Sequence, residues 1–182
     1  MTSQLREARL VLRAQSGDLE ALDTLLEGIQ APLFRYLRNL VGEEALAEDL
    51  LQEVFLLVCR KIKWLREPRV FRAWAYRIAS REAKRSLGRE KRWRDQVRDE
   101  AVLSQLSDPK ADFAEEVEMA AHLPELVSAV PAASRAVLLL HYQEELTLRE
   151  ISDVLELPLG TIKSRLAYGL ATLRSGINSE TP

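Results

Sequence analysis

The sequence predicts an all-α fold, with two small helical domains joined by an acidic linker. Apolar residues recur at three- and four-residue spacing along nearly the whole chain of 182 residues, which is typical of amphipathic helices. Gly and Pro are sparse, at seven each, and no Asn-Gly or Asp-Gly hairpin signal occurs. Residues 99–122 are acidic and have weaker apolar periodicity, which indicates a linker between the domains.

The N-terminal domain, residues 1–98, is predicted to be a bundle of four helices. Gly17 ends the first helix, and Asp18 can cap the second by accepting a backbone N–H bond. Pro32 is expected to kink or interrupt the second helix, because proline lacks the N–H of the helical bond. The predicted helices span residues 5–15, 19–40, 43–64 and 70–94.

The C-terminal domain, residues 123–182, has short, closely spaced helices, the first at about 124–129. Pro131 suits the first position of the next helix, and Thr147 and Glu150 have the spacing of a capping box. A short capped helix, a turn of about three residues and a last helix starting at Pro158 have the spacing of a helix-turn-helix.

The last helix has an exposed face suited to DNA. Small hydroxyls with Lys and Arg can anchor phosphates and bond to base edges, although spacing alone also fits the solvated face of an ordinary three-helix domain. The candidate DNA-binding residues are Gly160, Thr161, Lys163, Ser164, Arg165 and Tyr168.

The net charge of −2 is a near-cancellation of charged blocks. Residues 18–53 and 99–125 each carry −7, whereas residues 60–98 carry +11. Residues 1–17 carry +2 and residues 126–182 carry −1. Blocks of this size favour separate partners for separate surfaces, so the small total does not exclude nucleic acid.

Two charged helix faces lie in the N-terminal domain. Asp49, Gln52 and Glu53 are three and four residues apart on the third helix, which indicates one outward stripe or simply a solvated surface. The fourth helix interleaves aromatic residues with a basic run that continues to Arg94, a composition that suits single-stranded or melted DNA. Phe71 and Trp74 are expected to be core residues.

Several classes of protein are disfavoured. The single cysteine, Cys59, excludes an intramolecular disulfide and fits a reducing cytoplasm. With only His122 and His141 besides, a zinc site is not expected, and no cofactor is predicted. Glu118 and His122 lie one turn apart in the linker, too little for an enzyme. No apolar run is long enough to insert into a membrane.

Three strings resemble a known family. Residues 148–166, LREISDVLELPLGTIKSRL, resemble region four of bacterial sigma factors, the C-terminal DNA-binding part. Residues 47–55, AEDLLQEVF, and residues 71–79, FRAWAYRIA, resemble sigma region two. The Pro-x-Gly-Thr-Ile-Lys-Ser-Arg-Leu pattern is specific to the extracytoplasmic-function class and its close relatives.

The resemblance implies a dissociable subunit that binds core RNA polymerase, through the β′ clamp and the β flap, and directs it to promoter DNA without catalysis of its own. Members of this class are often held inactive by an anti-sigma factor, and the sequence leaves open whether this chain has one. The acidic linker would run through the polymerase near the template path. The alternative is a helix-turn-helix regulator that acts without core polymerase, its N-terminal bundle serving as a sensor or dimerisation module.

The resemblance also implies roles for individual residues. Asp49, Gln52 and Glu53 would contact core polymerase, and the loop at about 64–70 would capture a flipped base. The face of the last helix would meet the −35 element. The residues expected at the −10 element are Trp64, Arg77, Arg81, Lys84 and Arg85.

The chain departs from the family pattern at several positions. Glycine is usual where Glu145 and Glu156 stand, so these turns must accept a residue with a Cβ, at a cost if φ is positive. Many relatives carry Asn where Arg81 stands and Asp where Arg85 stands. A second basic residue is usual at Tyr168 or at Leu170. We therefore expect the C-terminal domain alone to bind DNA only modestly.

Overall fold

The computed structural model describes residues 3–89 and 127–179, which form seven α-helices and contain no β-strand. Four helices form an N-terminal unit and three form a C-terminal unit, which confirms the all-α prediction. In chain order the helices are α1 (Ser3–Gln15), α2 (Leu19–Val41), α3 (Glu44–Lys61), α4 (Phe71–Arg89), α5 (Ala132–Leu138), α6 (Leu148–Leu155) and α7 (Leu159–Ser179).

Helix α2 forms the centre of the N-terminal unit, because α1, α3 and α4 all pack against it. It begins as predicted: Gly17 has a left-handed φ of 97°, and the Asp18 carboxylate accepts a hydrogen bond from the Ala21 amide at 3.1 Å. That amide bond and Arg13 hold the pKa of Asp18 below its usual value. The buried apolar side chains include Val11, Leu25, Leu33, Leu37, Val54, Val58, Phe71 and Ala79.

Of the two effects predicted for Pro32, a kink or an interruption, the interruption is wrong, because α2 runs unbroken from Leu19 to Val41 with Pro32 inside it. Proline removes one backbone bond, the one that residue 32 would donate to the carbonyl of Gly28. Gly28 is exposed, so water can satisfy that carbonyl. Packing of the buried face of α2 outweighs the missing bond.

Helices α3 and α4 are joined by two short turns. The third helix ends at Lys61 and continues as a 3₁₀ turn, Ile62–Trp64, and a second 3₁₀ turn, Pro68–Val70, leads into α4. In α4 the expected core position Phe71 is buried, whereas Trp74 is only half-buried. Further inward positions on α4 are Tyr76, Ile78, Ala79, Ser80, Ala83 and Leu87.

The C-terminal unit contains the predicted capping box. The Glu150 amide donates to the Thr147 hydroxyl at 3.3 Å, and the Thr147 amide donates to the Glu150 carboxylate at 2.8 Å. Pro131 stands one position earlier than predicted, at the N-cap of α5, because its ψ of 139° is extended. Helix α5 continues into a π-helical turn, Leu139–Gln143. The predicted inward residues of α7 are all buried: Ile162, Leu166, Leu170 and Leu173.

The two units pack against each other, which the sequence did not predict. Helix α4 contacts α6, and α2 contacts α5 and the π-helical turn. Buried residues of both units belong to one continuous apolar cluster.

Some predictions concern residues outside the described ranges. These are the linker at 99–122, with its Glu118–His122 pair, and the end of the fourth helix beyond Arg89. Of the helix expected at 124–129, the structure describes a 3₁₀ turn at Val127–Ala129.

Candidate nucleic-acid interface

The acidic stripe of α3 faces outward, as predicted. Asp49, Gln52 and Glu53 are all exposed, while the opposite face of the helix is buried in the N-terminal unit. Leu56 lies seven residues after Asp49, on the same side of the helix, and is 57% exposed. The stripe therefore combines carboxylates with one exposed apolar side chain.

Helix α4 presents cations on its outer face. Arg81, Lys84 and Arg85 are exposed, and Arg77 is half-buried. These positions recur at three- and four-residue spacing, so the helical period places them on one side. The structure therefore brings together the four residues of α4 that the sequence assigned to the −10 element.

The acidic stripe and the basic face meet at one ion pair. The guanidinium of Arg85 lies 2.6 Å from the Glu53 carboxylate and 2.5 Å from that of Glu82. Glu53 was predicted to contact polymerase and Arg85 to contact DNA. The two predicted surfaces are therefore adjacent, with this pair at their border.

The turn between α3 and α4 displays one aromatic ring. Trp64 is 74% exposed, whereas its neighbour Leu65 is buried. The Gln15 side-chain amide donates to the carbonyls of Ile62 at 2.9 Å and of Leu65 at 2.7 Å, which fixes the turn against α1. An indole held out from a fixed turn can stack on an unpaired base.

The turn between α6 and α7 is made by a glutamate in the left-handed conformation. Glu156 caps α6 with a φ of 56° and a ψ of 46°, a conformation that favours glycine. Glu145, in the preceding turn, also has a left-handed φ, of 55°. The conformational cost expected from the sequence at these two positions is therefore present.

The recognition face of α7 is less exposed than predicted. Gly160 is exposed, but the other five residues are only half-exposed, because α7 packs against both α5 and α6. The Ser164 hydroxyl donates to the carbonyl of Gly160 at 2.9 Å, so part of its bonding capacity is used within the helix. The remaining members of the set are Thr161, Lys163, Arg165 and Tyr168.

One ion pair joins the basic face of α4 to the helix-turn-helix. Two of the three guanidinium nitrogens of Arg81, Nη2 and Nε, donate to the two carboxylate oxygens of Glu156 at 2.5 and 3.0 Å. The hydrogen bond from Arg81 lowers the pKa of Glu156, and the charges of Arg81, Arg77 and Lys84 lower it further. Glu156 therefore bonds to one cation of α4, and the charges of two more act on it.

A second, buried contact lies deeper between the units. The Glu144 carboxylate, with a side chain only 6% exposed, accepts a hydrogen bond from the Tyr76 hydroxyl and lies 3.6 Å from the Arg35 guanidinium. Burial raises the pKa of Glu144 and also that of Tyr76. Nearby, Arg135 of α5 donates to the carbonyl of Leu40 at 3.1 Å.

The sequence missed Leu56, Glu144 and the pairing of Glu156. Leu56 could have been found from its position on the helical period of the acidic stripe. Nothing local in the sequence marks Glu144 or the partner of Glu156, because their partners lie on α2 and α4. Among residues 3–89 and 127–179 no cluster of metal-ligating side chains occurs, and no helix there has the length and apolarity to cross a membrane.

Two family models match the chain. Residues 25–94 match sigma-70 region 2, and residues 126–175 match sigma-70 region 4. The first match contains the acidic stripe and the basic face of α4, and the second contains the helix-turn-helix.

Similar proteins include sigma factors of two other bacteria. The chain is 29% identical over 177 residues to the RNA polymerase sigma-H factor of Pseudomonas aeruginosa, covering 91% of each chain. It is 26% identical over 175 residues to the ECF RNA polymerase sigma factor SigW of Bacillus subtilis, covering 90% of this chain and 92% of that one. A solved structure of CnrH in complex with the cytosolic domain of CnrY has the same fold, with a TM-score of 0.68, 20% identity and coverage of 96% of this chain and 99% of that chain.

Proposed function

We propose separate roles for the two helical units of this chain, which belongs to the sigma-70 family as an extracytoplasmic-function sigma factor. The chain directs transcription initiation with RNA polymerase. The observation that carries the proposal is the placement of an acidic, partly apolar stripe directly beside a basic helix face. A sensor or dimerisation bundle needs no such pair of surfaces. With the match to region 2, this sets aside a helix-turn-helix regulator that acts without polymerase.

We assign residues 1–98 to core-polymerase and −10 binding, residues 99–122 to a linker and residues 123–182 to −35 binding. The two family matches support these bounds, because each falls within one of the outer segments. The C-terminal unit would also meet the β flap of polymerase, as the resemblance implies.

The core-binding surface is the stripe of Asp49, Gln52, Glu53 and Leu56. Carboxylates steer the chain towards a basic polymerase surface, such as the β′ clamp that the resemblance implies. Leu56 adds an exposed apolar side chain that polymerase can bury. Both kinds of contact come from one rigid helix, so the surface is formed before polymerase binds.

The −10 surface combines the cations of α4 with Trp64. Lysine and arginine neutralise phosphates, and the indole offers a stacking face to a base that has left the duplex. Arg81 and Arg85 are both paired with carboxylates here, so DNA must compete for them. These ion pairs are exposed, and exposed pairs are weak enough for phosphate to displace.

The −35 surface is the first half of α7, from Gly160 to Tyr168. Only Lys163 and Arg165 carry charge there, so the sequence-independent part of its DNA affinity is small. We infer that the C-terminal unit selects its site mainly when polymerase carries it to the promoter. Such a factor acts where RNA polymerase works, in the cytoplasm. The resemblance leaves open whether an anti-sigma factor holds it inactive.

A binding assay with purified core RNA polymerase tests the core-binding surface. The double substitution Asp49→Lys with Leu56→Lys leaves the Glu53–Arg85 pair intact and should weaken core binding by about 30-fold or more, the effect of losing an interface hot spot. Asp23→Lys with Gln30→Lys is the matched control, because it makes the same charge change at the same spacing on exposed positions of α2. Equal core affinity in the stripe variant and its control would contradict the assignment, and a wild-type chain that does not bind core polymerase would contradict the function.

A further inference from the structure

The outer face of α1 combines leucines with arginines and takes no part in the proposed function. Leu5 and Leu12 are 44% and 54% exposed, and they lie one turn to either side of Arg9 along the helix. Arg13 is exposed one turn beyond Arg9. A partner that buries these leucines also meets the arginines, so it has to carry carboxylates beside apolar groups. These four residues are called the α1 face below.

The core-binding surface of α3 has the chemistry that the α1 face requires. It places Asp49 and Glu53 beside Leu56, and all three side chains are exposed. The two faces cannot meet within one chain, because α1 and α3 are both fixed on α2 with these faces towards solvent. The α1 face of one copy can therefore meet the core-binding surface only of another copy.

The spacing of the charges matches on the two helices. On α1, Arg13 follows Arg9 by four residues. On α3, Glu53 follows Asp49 by the same interval, which is about 6 Å along a helix. An antiparallel contact that brings Arg13 to Asp49 therefore also brings Arg9 to the second carboxylate.

The apolar side chains also meet in this register. Leu5 lies four residues before Arg9, and Leu56 lies three residues after Glu53. The two leucines are therefore offset by only about 1.5 Å along the paired helices, which is close enough for contact. Their mutual burial removes apolar surface from water and adds to the ion pairs.

The charges of both faces are available for such a contact. Arg9 and Asp49 form no ion pair with any residue in 3–89 or 127–179. Arg13 and Glu53 each belong to an exposed ion pair within their own unit. Exposed pairs of this kind are weak enough to exchange partners.

Pairing of identical faces is unfavourable. Two α1 faces would oppose arginines, and two core-binding surfaces would oppose carboxylates, so like charges would meet in both cases. The complementary contact is therefore heterologous and leaves one face of each copy unused. A heterologous contact that does not close into a ring extends by adding further copies.

We propose that the α1 face of one copy binds the core-binding surface of a second copy, so that the free chain associates head to tail. The core-binding surface then holds either polymerase or another copy. A single pair of helices makes a small interface, so the contact is weak. It is measured without polymerase, so its failure is distinguishable from failure of the proposed function.

Sedimentation equilibrium of the full chain measures the contact, at low salt and with a reductant because Cys59 is exposed. The weight-average mass of the wild type should rise between ~5 and ~500 μM, the range of weak association. The α1 variant is Arg9→Glu with Leu12→Glu. The α3 variant is Asp49→Lys with Leu56→Lys. Each variant should self-associate about 10-fold more weakly or worse.

An equimolar mixture of the two variants tests the pairing of the faces directly. The α3 variant keeps its α1 face, and the α1 variant keeps its core-binding surface. The mixture should therefore associate again, and its mass should stop at twice the monomer mass because no intact face is left for a third copy. Since only folded variants can restore association, the mixture also controls for misfolding.

Two control variants make the same charge changes on exposed positions of α2: Asp23→Lys with Gln30→Lys, and Ala31→Glu with Arg38→Glu. Both should associate as the wild type does, and ~1 M salt should weaken association because it screens ion pairs. A wild-type chain that stays monomeric would overturn the proposal. Undiminished association of either face variant, or a mixture that stays monomeric, would overturn it as well.

Discussion

The two units are assigned comparable tasks on DNA but carry very different charge. Residues 60–98 hold a net charge of +11, whereas residues 126–182 hold −1. The N-terminal unit spreads cations along α4 and displays the ring of Trp64, while the recognition face of α7 has two cations among half-exposed side chains. The N-terminal unit is thus suited to holding melted DNA by charge and stacking, and the C-terminal unit to selecting a duplex site by a few base contacts.

The largest effect is expected at the recognition face. Lys163→Ala with Arg165→Ala should weaken binding of the polymerase-bound factor to the −35 part of a promoter by about 1–3 kcal/mol for each side chain that bonds well to a base edge. The reason is that these are the only two cations on that face. The measurement is the affinity of reconstituted holoenzyme for a promoter fragment.

The control for this variant is Arg149→Ala with Arg174→Ala, which removes the same charge from exposed positions elsewhere in the unit. This control variant should lose much less promoter affinity than the Lys163→Ala/Arg165→Ala variant. For binding of the C-terminal unit to the −35 element, the slope of log affinity against log salt should also be shallow, because few phosphates are neutralised. Equal losses of affinity in both double variants would mean that Lys163 and Arg165 act only through their charge and not through contacts with base edges. The proposed difference between the two units would then be contradicted.

Each unit has a helical glycine whose replacement by alanine tests how tightly its surroundings are packed. A Cβ at Gly169 would lie 2.7 Å from Leu138 Cδ1, a fully buried side chain, whereas Gly28 has open space. Both substitutions by alanine gain helix propensity, so their difference isolates the clash. Gly169→Ala should be about 1–3 kcal/mol less stable than Gly28→Ala.

Denaturant unfolding of the full chain measures this difference. Gly28→Ala should stabilise by at most ~1 kcal/mol, which makes it the reference. Equal unfolding free energies for the two variants would show that Leu138 moves aside without cost. The packing between α5 and α7 would then be looser than the 2.7 Å approach indicates.

The smallest effect is expected at the buried carboxylate between the units. Glu144 has a raised pKa, so its folded form binds more protons than its unfolded form between the ordinary value of 4.5 and the raised one. Its charge therefore costs stability above that window, and the cost disappears as the pH falls through it. Glu144→Gln keeps an acceptor for Tyr76 and removes the charge, so it should stabilise the chain by up to ~1 kcal/mol at neutral pH.

The pH dependence is the control for that variant. The gain from Glu144→Gln should shrink as the pH is lowered towards 4.5, because wild-type Glu144 then becomes neutral as well. Thermal unfolding of the wild type and of Glu144→Gln at several pH values measures this gain in stability. A gain that is the same at every pH would assign the effect to packing rather than to charge.

Local features were predictable from the sequence, and contacts between distant segments were not. The Asp18 cap and the Thr147–Glu150 box follow from residues within three positions of each other, and both are present. The continuity of α2 through Pro32 depends on burial of the whole helix, which outweighs a local rule. The partial burial of α7 likewise depends on its packing against two other helices.

The same distinction separates the parts of the candidate site. Periodicity placed Asp49, Gln52 and Glu53 on an exposed stripe, because one helix determines their spacing. The pairing of Arg81 with Glu156 joins positions 75 residues apart in the chain, and no pattern in the sequence connects them. The sequence did flag both residues as departures from the family pattern.

Transcription reconstituted on genomic DNA tests the central claim most directly. Core RNA polymerase with the wild-type chain should start transcription at a defined set of sites that share two sequence elements, one for each unit. The Asp23→Lys/Gln30→Lys variant should reproduce that set, and the Asp49→Lys/Leu56→Lys variant should lose it. Start sites no different from those of core polymerase alone would contradict the account.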